Sequence, residues 1–278
     1  MATIFAKKTV GRLETLQYAN KKFNWSNRVV IGVSAYFGFW AWIIARLTGR
    51  KFIYYAIDFY SPEIAEDTWD LIFIRCAMLM DRFLVWAADE CWDISERINE
   101  GRAKFGHYRV KESRIIPLAY PPHYFRYSGP RMENKGIVAV YVGLDPYGLE
   151  LFEGLDEVEL KWIGKGKLSL DELLTQVSQG TFGVSLWKEQ GNNYYGDPGK
   201  TKLYSACGLP VIMTDNTPYA KIIKDTMAGI VIKYNKGELR KAIKEIAFNY
   251  GFYKRRVKDT WKYINADDVF RDIKLLGN

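Results

Sequence analysis

The residues from Asn193 to Asp215, NYYGDPGKTKLYSACGLPVIMTD, have the types and spacing of an anion-binding helix that runs straight into a buried strand. Asp197 suits an N-cap and Pro198 the first helical position, where a missing N–H costs nothing. Gly199 leaves the backbone bare, so the unpaired N–H groups of the first turn can meet a ligand. Lys200 adds a full positive charge to the positive end of the helix dipole. That combination is suited to holding phosphate oxygens. Gly208 falls where a left-handed cap ends a helix, Pro210 prevents continuation, and Val211 to Thr214 reads as a short buried strand. Taken alone, an ordinary helix–turn–strand unit with a solvated Lys200 explains the same residues about as well.

Other chemistry-bearing residues are sparse. His107 and His123 lie in loop-like stretches and form no Ser/His/Asp arrangement. No Asp-x-Asp triplet occurs, so a metal bridging a diphosphate is not indicated, and no cofactor is expected. Cys76, Cys91 and Cys207 have no metal-ligand spacing, and reduced thiols in a cytoplasmic protein are the better reading.

The elements that must position such residues follow from the hydrophobic pattern. In the first half, strands are expected at Val29–Val33, Phe52–Ile57, Glu90–Ile94 and Arg114–Pro117. Helices are expected at 41–47, within 67–87 and at 95–105; Thr9 to Lys22 also reads as helical. The second half repeats the alternation at Val138–Val142, Glu159–Ile163, Phe182–Leu186, Val211–Met213 and Ile230–Ile232. That is the pattern of a five-stranded, parallel, Rossmann-like domain. Ligands of such sheets gather at the carboxyl ends of strands, which brings Gly143, Gly164 to Lys167, Trp187, Lys188 and the start of the Pro198 helix to one edge.

A chain of 278 residues suits two small cores. The Pro-rich segment Leu118 to Arg131 marks a boundary, giving domains at 1–125 and 126–251 and a helical segment at 252–278 that returns toward the first domain. Val29 to Ala45 is uncharged but short for a membrane span, and a strand, a turn at Ser34 to Gly38 and a packed helix explain it better. The N-terminus has no signal-peptide pattern, because Lys7 and Lys8 precede Thr9 to Gln17 rather than an apolar run.

The formal charge of +8 fits an anionic partner. No zinc-finger spacing or RNA-recognition signature points to nucleic acid. Lys254, Arg255, Arg256, Lys258 and Lys262 form the densest basic group. A solvated helix face is its commoner explanation, and peripheral contact with an anionic membrane face the rarer one.

Two α/β halves with a phosphate-binding helix late in the second resemble a glycosyltransferase of the GT-B fold, closest to family 4. The most specific match is PGKTKLYSACGLPVI at Pro198 to Ile212. Weaker matches are VAVYVGLD at Val138 to Asp145, KWIGKG at Lys161 to Gly166, ADECWDISERI at Ala88 to Ile98 and YYAIDFYSP at Tyr54 to Pro62. The resemblance implies an enzyme that moves a sugar from a nucleotide diphosphate donor to a glycan, lipid-linked or other glycoconjugate acceptor, as in cell-surface polysaccharide biosynthesis. A non-catalytic relative that binds nucleotide or sugar, or serves as a partner subunit, is the other reading. Carried over by position, Lys200 with the N–H groups of Thr201 and Lys202 takes the diphosphate, and Gly143 sits under the sugar phosphate. Lys188 is a second basic candidate, although a solvated loop lysine explains it as well or better. Asp58 ends a buried strand and is the carboxylate to act as base in an inverting reaction, or to orient a hydroxyl in a retaining one. A structural turn before Ser61 and Pro62 is its alternative.

The sequence also departs from that family. Family 4 carries two glutamates that contact the donor sugar and ribose, and counting from Gly208 their positions here hold Tyr195 and Leu203. Neither accepts a hydrogen bond as a carboxylate does. Tyr195 is suited to stack on a ring, and Asp197 is near enough in sequence to substitute. Relatives have Pro-Asn-Gly where this chain has Pro117, Leu118 and Ala119. They also open with a strand and glycine-rich loop, whereas the first clear strand here is Val29–Val33, which makes the N-terminal domain look shortened.

Overall fold

The computed structural model describes residues 1–6, 12–110, 112–126, 136–164, 168–188 and 192–273. Lys7, Lys8, Lys165, Gly166, Lys167 and part of the boundary segment 118–131 lie outside the described residues. By their internal contacts the residues form two units, Met1–Ala119 with Gly191–Asp197 and Ala266–Asn278, and Tyr120–Gln190 with Pro198–Asn265.

The first unit is built on a parallel sheet of β1 (Thr3–Phe5), β2 (Val29–Val33), β3 (Lys51–Ala56), β4 (Glu90–Asp93) and β5 (Ser113–Ile115), in that spatial order. Its helices are α1 (Arg12–Lys22), α2 (Ser34–Leu47), α3 (Thr68–Ala87) and α4 (Glu96–Gly101). β1 was not expected from the sequence; it pairs with β2 from Thr3 opposite Val30 to Phe5 opposite Gly32. The expected turn at Ser34 to Gly38 is instead the first turn of α2, entered at once because Ser34 takes a left-handed φ of 65°. Alternation along β3 sends consecutive tyrosines to opposite faces. Tyr54 bonds Asp81 on α3, and Tyr55 packs edge-on to Trp92, which meets Trp25 and, through it, Phe270.

In the second unit the parallel sheet runs β10 (Gly229–Ile232), β9 (Val211–Thr214), β8 (Phe182–Ser185), β6 (Val138–Val142), β7 (Glu159–Ile163). Val140 of β6 faces Lys161 of β7 on one side and Gly183 of β8 on the other, so the strand order reverses at β6. α5 (Leu170–Ser178) opens on a complete capping box between Ser169 and Glu172. α6 (Asn192–Tyr195) falls in the first unit, while α7 (Gly199–Ala206), α8 (Tyr219–Thr226), α9 (Lys236–Phe248) and α10 (Tyr250–Val257) belong to the second. Leu239, Ile243 and Ile246 of α9 bury against Tyr141, Phe182, Val184 and Ile212.

These units divide the chain at other places than 125/126 and 251/252. Tyr120 donates its N–H to the Ile264 carbonyl at 2.7 Å, and Phe125 packs on Trp261 at 5.2 Å, which draws 120–126 and 252–265 into the second unit. Tyr18 donates to Asp267 at 2.6 Å, which ties α11 (Ala266–Val269) to α1 in the first unit. No helix among the described residues is long and apolar enough to cross a membrane.

Candidate functional site

The switch in strand order between β6 and β8 opens a crevice at the carboxyl edge of the second sheet. α7 is seated over it by Tyr204. The position of a Cβ on Gly183 would lie 2.1 Å from the Tyr204 ring, so β8 needs glycine there, and the Tyr204 hydroxyl accepts the Val142 N–H of β6 at 2.8 Å. The helix closes as expected: Gly208 has φ 75°, and the N–H groups of Gly208 and Leu209 return to the carbonyls of Ser205 and Tyr204, a Schellman end.

The helix start differs from the expectation. Pro198 is the N-cap, with ψ 98°, and Gly199 is the first helical residue. Asp197 is buried in the first unit, where its carboxylate accepts the Leu118 N–H at 2.7 Å. It is therefore not the cap of α7. Lys202 donates its N–H to the Pro198 carbonyl at 3.3 Å, so it is not a free donor, and its side chain is buried with Nζ 5.4 Å from the centre of the Tyr219 ring. As the first intrahelical donor, Lys202 leaves the N–H groups of Gly199, Lys200 and Thr201 without partners inside the helix. The Thr201 side chain is buried and its hydroxyl has no hydrogen-bond partner among the described residues.

Lys200 occupies a cage of two rings drawn from two strand ends. Its Nζ is 4.2 Å from the centre of the Trp187 ring and 4.4 Å from that of Tyr141, and it donates to the Tyr141 hydroxyl at 3.2 Å. The Tyr141 hydroxyl in turn donates to the Asp145 carbonyl at 2.5 Å, and the Trp187 indole to the Ser185 hydroxyl at 3.0 Å. Among the described residues Lys200 forms no ion pair. Burial pulls its pKa down to about 8, against a smaller upward pull from the Asp145 carboxylate. A desolvated cation that lacks a carboxylate is stabilised by an incoming anion, and the rings hold it in place without neutralising it.

Gly143 joins this cluster. A Cβ there would lie 2.9 Å from the Tyr141 hydroxyl, and the Gly143 carbonyl accepts the Trp162 indole N–H at 2.7 Å. Gly164 packs against the same carbonyl, at 1.9 Å from where its Cβ would stand, so close packing explains that glycine. The cluster extends across β9 through Thr214, which accepts the Trp187 N–H and donates to the Trp187 carbonyl, each at 2.9 Å. Trp187, Thr214, Asn216 and Tyr234 line an adjoining cleft of about 300 Å³ at the ends of β8, β9 and β10.

Lys188 is exposed, with Nζ 4.0 Å from Glu150 and 5.8 Å from the centre of the Tyr234 ring. Tyr195, in the first unit, is buried edge-on against Phe59 at 5.1 Å and is not free to stack on a ligand ring. Leu203 is buried in the second. Asp58, in the first unit, stands two residues past β3 with its carboxylate partly exposed and 3.8 Å from Arg12. Reading the sequence for phosphate chemistry missed Tyr141 and Tyr204 and placed Trp187 only at the edge. An aromatic residue two positions before a glycine at a strand end, as in Tyr141 and Gly143, was the available signal.

Residues 147–268 match the sequence family described as Glucosyltransferase 3-like, C-terminal domain. A comparison with curated proteins by sequence gives no match. Among solved structures, the chain is similar to Anabaena HepE in complex with UDP-glucose, with TM-score 0.64 at 11% identity over 96% of this chain and 83% of that one. It is similar to sucrose-phosphate synthase from Thermosynechococcus elongatus, with TM-score 0.66 at 12% identity over 93% and 74%. It also resembles the lipopolysaccharide outer core galactosyltransferase WaaB in its apo form, with TM-score 0.58 at 15% identity over 92% and 76%. The chain has the GT-B fold, with two parallel five-stranded sheets of Rossmann-like type.

Proposed function

We propose that this protein is a glycosyltransferase that moves a sugar from a nucleotide diphosphate sugar to a glycan, lipid-linked or other glycoconjugate acceptor, without a bridging metal. The observation that carries the reading is Lys200: a half-buried lysine with no ion pair among the described residues, in the first turn of α7 at the strand-order switch. As the glycosidic bond to the donor phosphate breaks, negative charge grows on the leaving diphosphate. Lys200 and the N–H groups of Gly199 and Thr201 are already oriented, so they stabilise that charge with little reorganisation. A bound diphosphate raises the proton affinity of Lys200 and keeps it cationic at neutral pH.

Uridine diphosphate titrated calorimetrically is the direct test, HepE with UDP-glucose being a neighbour in fold. Lys200→Ala is expected to weaken binding by about 1–3 kcal/mol, the range of a charge-assisted hydrogen bond. Equal affinity of variant and parent, or no binding of any nucleoside diphosphate to the parent, removes the site. Asp58 is assigned to the acceptor side of the chemistry, as base or as the group that orients a hydroxyl. Asp58→Asn is then expected to lower kcat by about 10²-fold or more with donor binding intact, read from transfer kinetics beside calorimetry.

One observation favours a second reading, a relative that binds the donor without turning it over. Buried Leu203 and the packed ring of Tyr195 supply none of the carboxylate contacts to ribose and sugar that their positions imply. Nucleotide binding without hydrolysis or transfer of any nucleotide sugar selects that reading.

A further inference from the structure

Helix α3 carries two apolar stripes where folding needs one. Ile74, Leu84 and Ala87 turn inward beside Asp81, whereas Trp69, Phe73, Leu79 and Trp86 are 78, 62, 67 and 79% exposed. Trp69 and Phe73 are four residues apart and Leu79 and Trp86 seven, so they form two pairs on the exposed side of α3, about 25 Å from end to end. α2 lies alongside, joined through Phe39 and Trp42 to Phe83 at 6.4 and 4.9 Å, and it adds exposed Trp40 and Leu47. Scattered surface apolar residues need no account; six large apolar side chains exposed on two packed helices do.

Charge decides what covers it. Arg75 and Arg82 are exposed on the same helix, and Arg82 reaches over the Tyr108 ring at 5.8 Å. A second copy docked through the same face would offer these arginines no carboxylate, because the exposed stripe of Arg75, Leu79, Arg82 and Trp86 carries none. An anionic lipid surface meets both features at once: Trp rings settle at the headgroup level, apolar side chains enter the acyl boundary, and arginines reach back to phosphates. We propose that the outer face of α2 and α3 docks onto an anionic lipid bilayer, with α3 lying in the plane of the interface.

Vesicles of phosphatidylcholine alone, and of phosphatidylcholine with phosphatidylglycerol, test this by co-sedimentation with the full chain. The parent is expected to partition onto the anionic vesicles, and less onto the neutral ones. Combined Trp69→Ser, Phe73→Ser, Leu79→Ser and Trp86→Ser is expected to lower partition on the order of 100-fold. Circular dichroism and thermal midpoint check that the variant is folded. Arg75→Gln with Arg82→Gln is expected to remove most of the preference for the anionic vesicles. Independently of any variant, lipids brominated along the chain are expected to quench the tryptophan fluorescence of the parent. The proposal is overturned by a parent that ignores both vesicle types, by a folded quadruple variant that binds like the parent, or by unquenched fluorescence. Sedimentation velocity without vesicles is expected to give a monomer; a dimer dispersed by the same substitutions makes a second copy the occupant.

Discussion

Each unit holds a cationic side chain in a notable setting, and the two settings are opposites. Arg102 of the first unit is fully buried and saturated: Nε reaches Asp81 at 2.8 Å, Nη1 reaches both oxygens of Asp93 at 2.8 and 3.0 Å, and the Tyr54 and Tyr108 hydroxyls donate to the same Asp81. Lys200 of the second is flanked by two rings and a hydroxyl, with no ion pair among the described residues. The difference follows the sheets. Strands of the first sheet run in sequence order with no reversal, so the topology opens no crevice, and its buried charge is spent on holding α3, α4 and β4 together. The second sheet reverses at β6, and the helix that follows β8 arrives over the gap with its positive end and a lysine. A buried charge whose partners are complete is structural; one that lacks a counter-charge at a topological switch is poised for a ligand.

The largest effect that could break this contrast is Arg102→Met. Removing the guanidinium leaves Asp81 and Asp93 buried without compensation, and a loss of about 3–5 kcal/mol in urea unfolding is expected. A change under about 1 kcal/mol would mean the cluster is not the lock described here.

pH sharpens the other half. The folded pKa of Lys200, about 8, lies below its ordinary value of 10.5. The ligand-free protein therefore carries the full penalty of this burial below pH 8 and sheds it as pH rises from about 8 toward 10.5. Diphosphate binding runs the opposite way, because the anion prefers the protonated amine. Affinity is expected to fall above pH 8 by up to about tenfold per pH unit, and Lys200→Met to abolish that part of the dependence. Titration calorimetry at several pH values checks both. The smallest effect is expected at Lys188, whose exposed, loosely paired ammonium makes Lys188→Ala worth about 0.5 kcal/mol or less in stability or donor affinity. A larger loss of affinity would place it in the donor site after all.

Much of the framework was legible in the chain. β2 and β6 have the expected bounds because continuous apolar runs between turn residues leave few alternatives, and β7 has them because Glu-Leu-Lys-Trp-Ile alternates up to Gly164. β1 escaped notice because three residues, Thr-Ile-Phe, hold no period; only pairing with β2 makes them a strand. In the candidate site, Gly199, Lys200, Gly208 and the following strand were readable from cap and turn chemistry. The partners of Lys200 were not, since Tyr141 and Trp187 come from two strands whose adjacency depends on the reversal at β6. Asp197 shows the same limit: its spacing suits a cap, yet its carboxylate is taken by the Leu118 N–H.

By itself the sequence determined the alternation of strand and helix, the glycine that ends α7 and the cation that begins it, because each depends on residues a few positions apart. Tertiary structure decided which charges are answered and which are left open. That choice is made by side chains distant in sequence, brought together by strand order, and it alone separates Arg102 from Lys200.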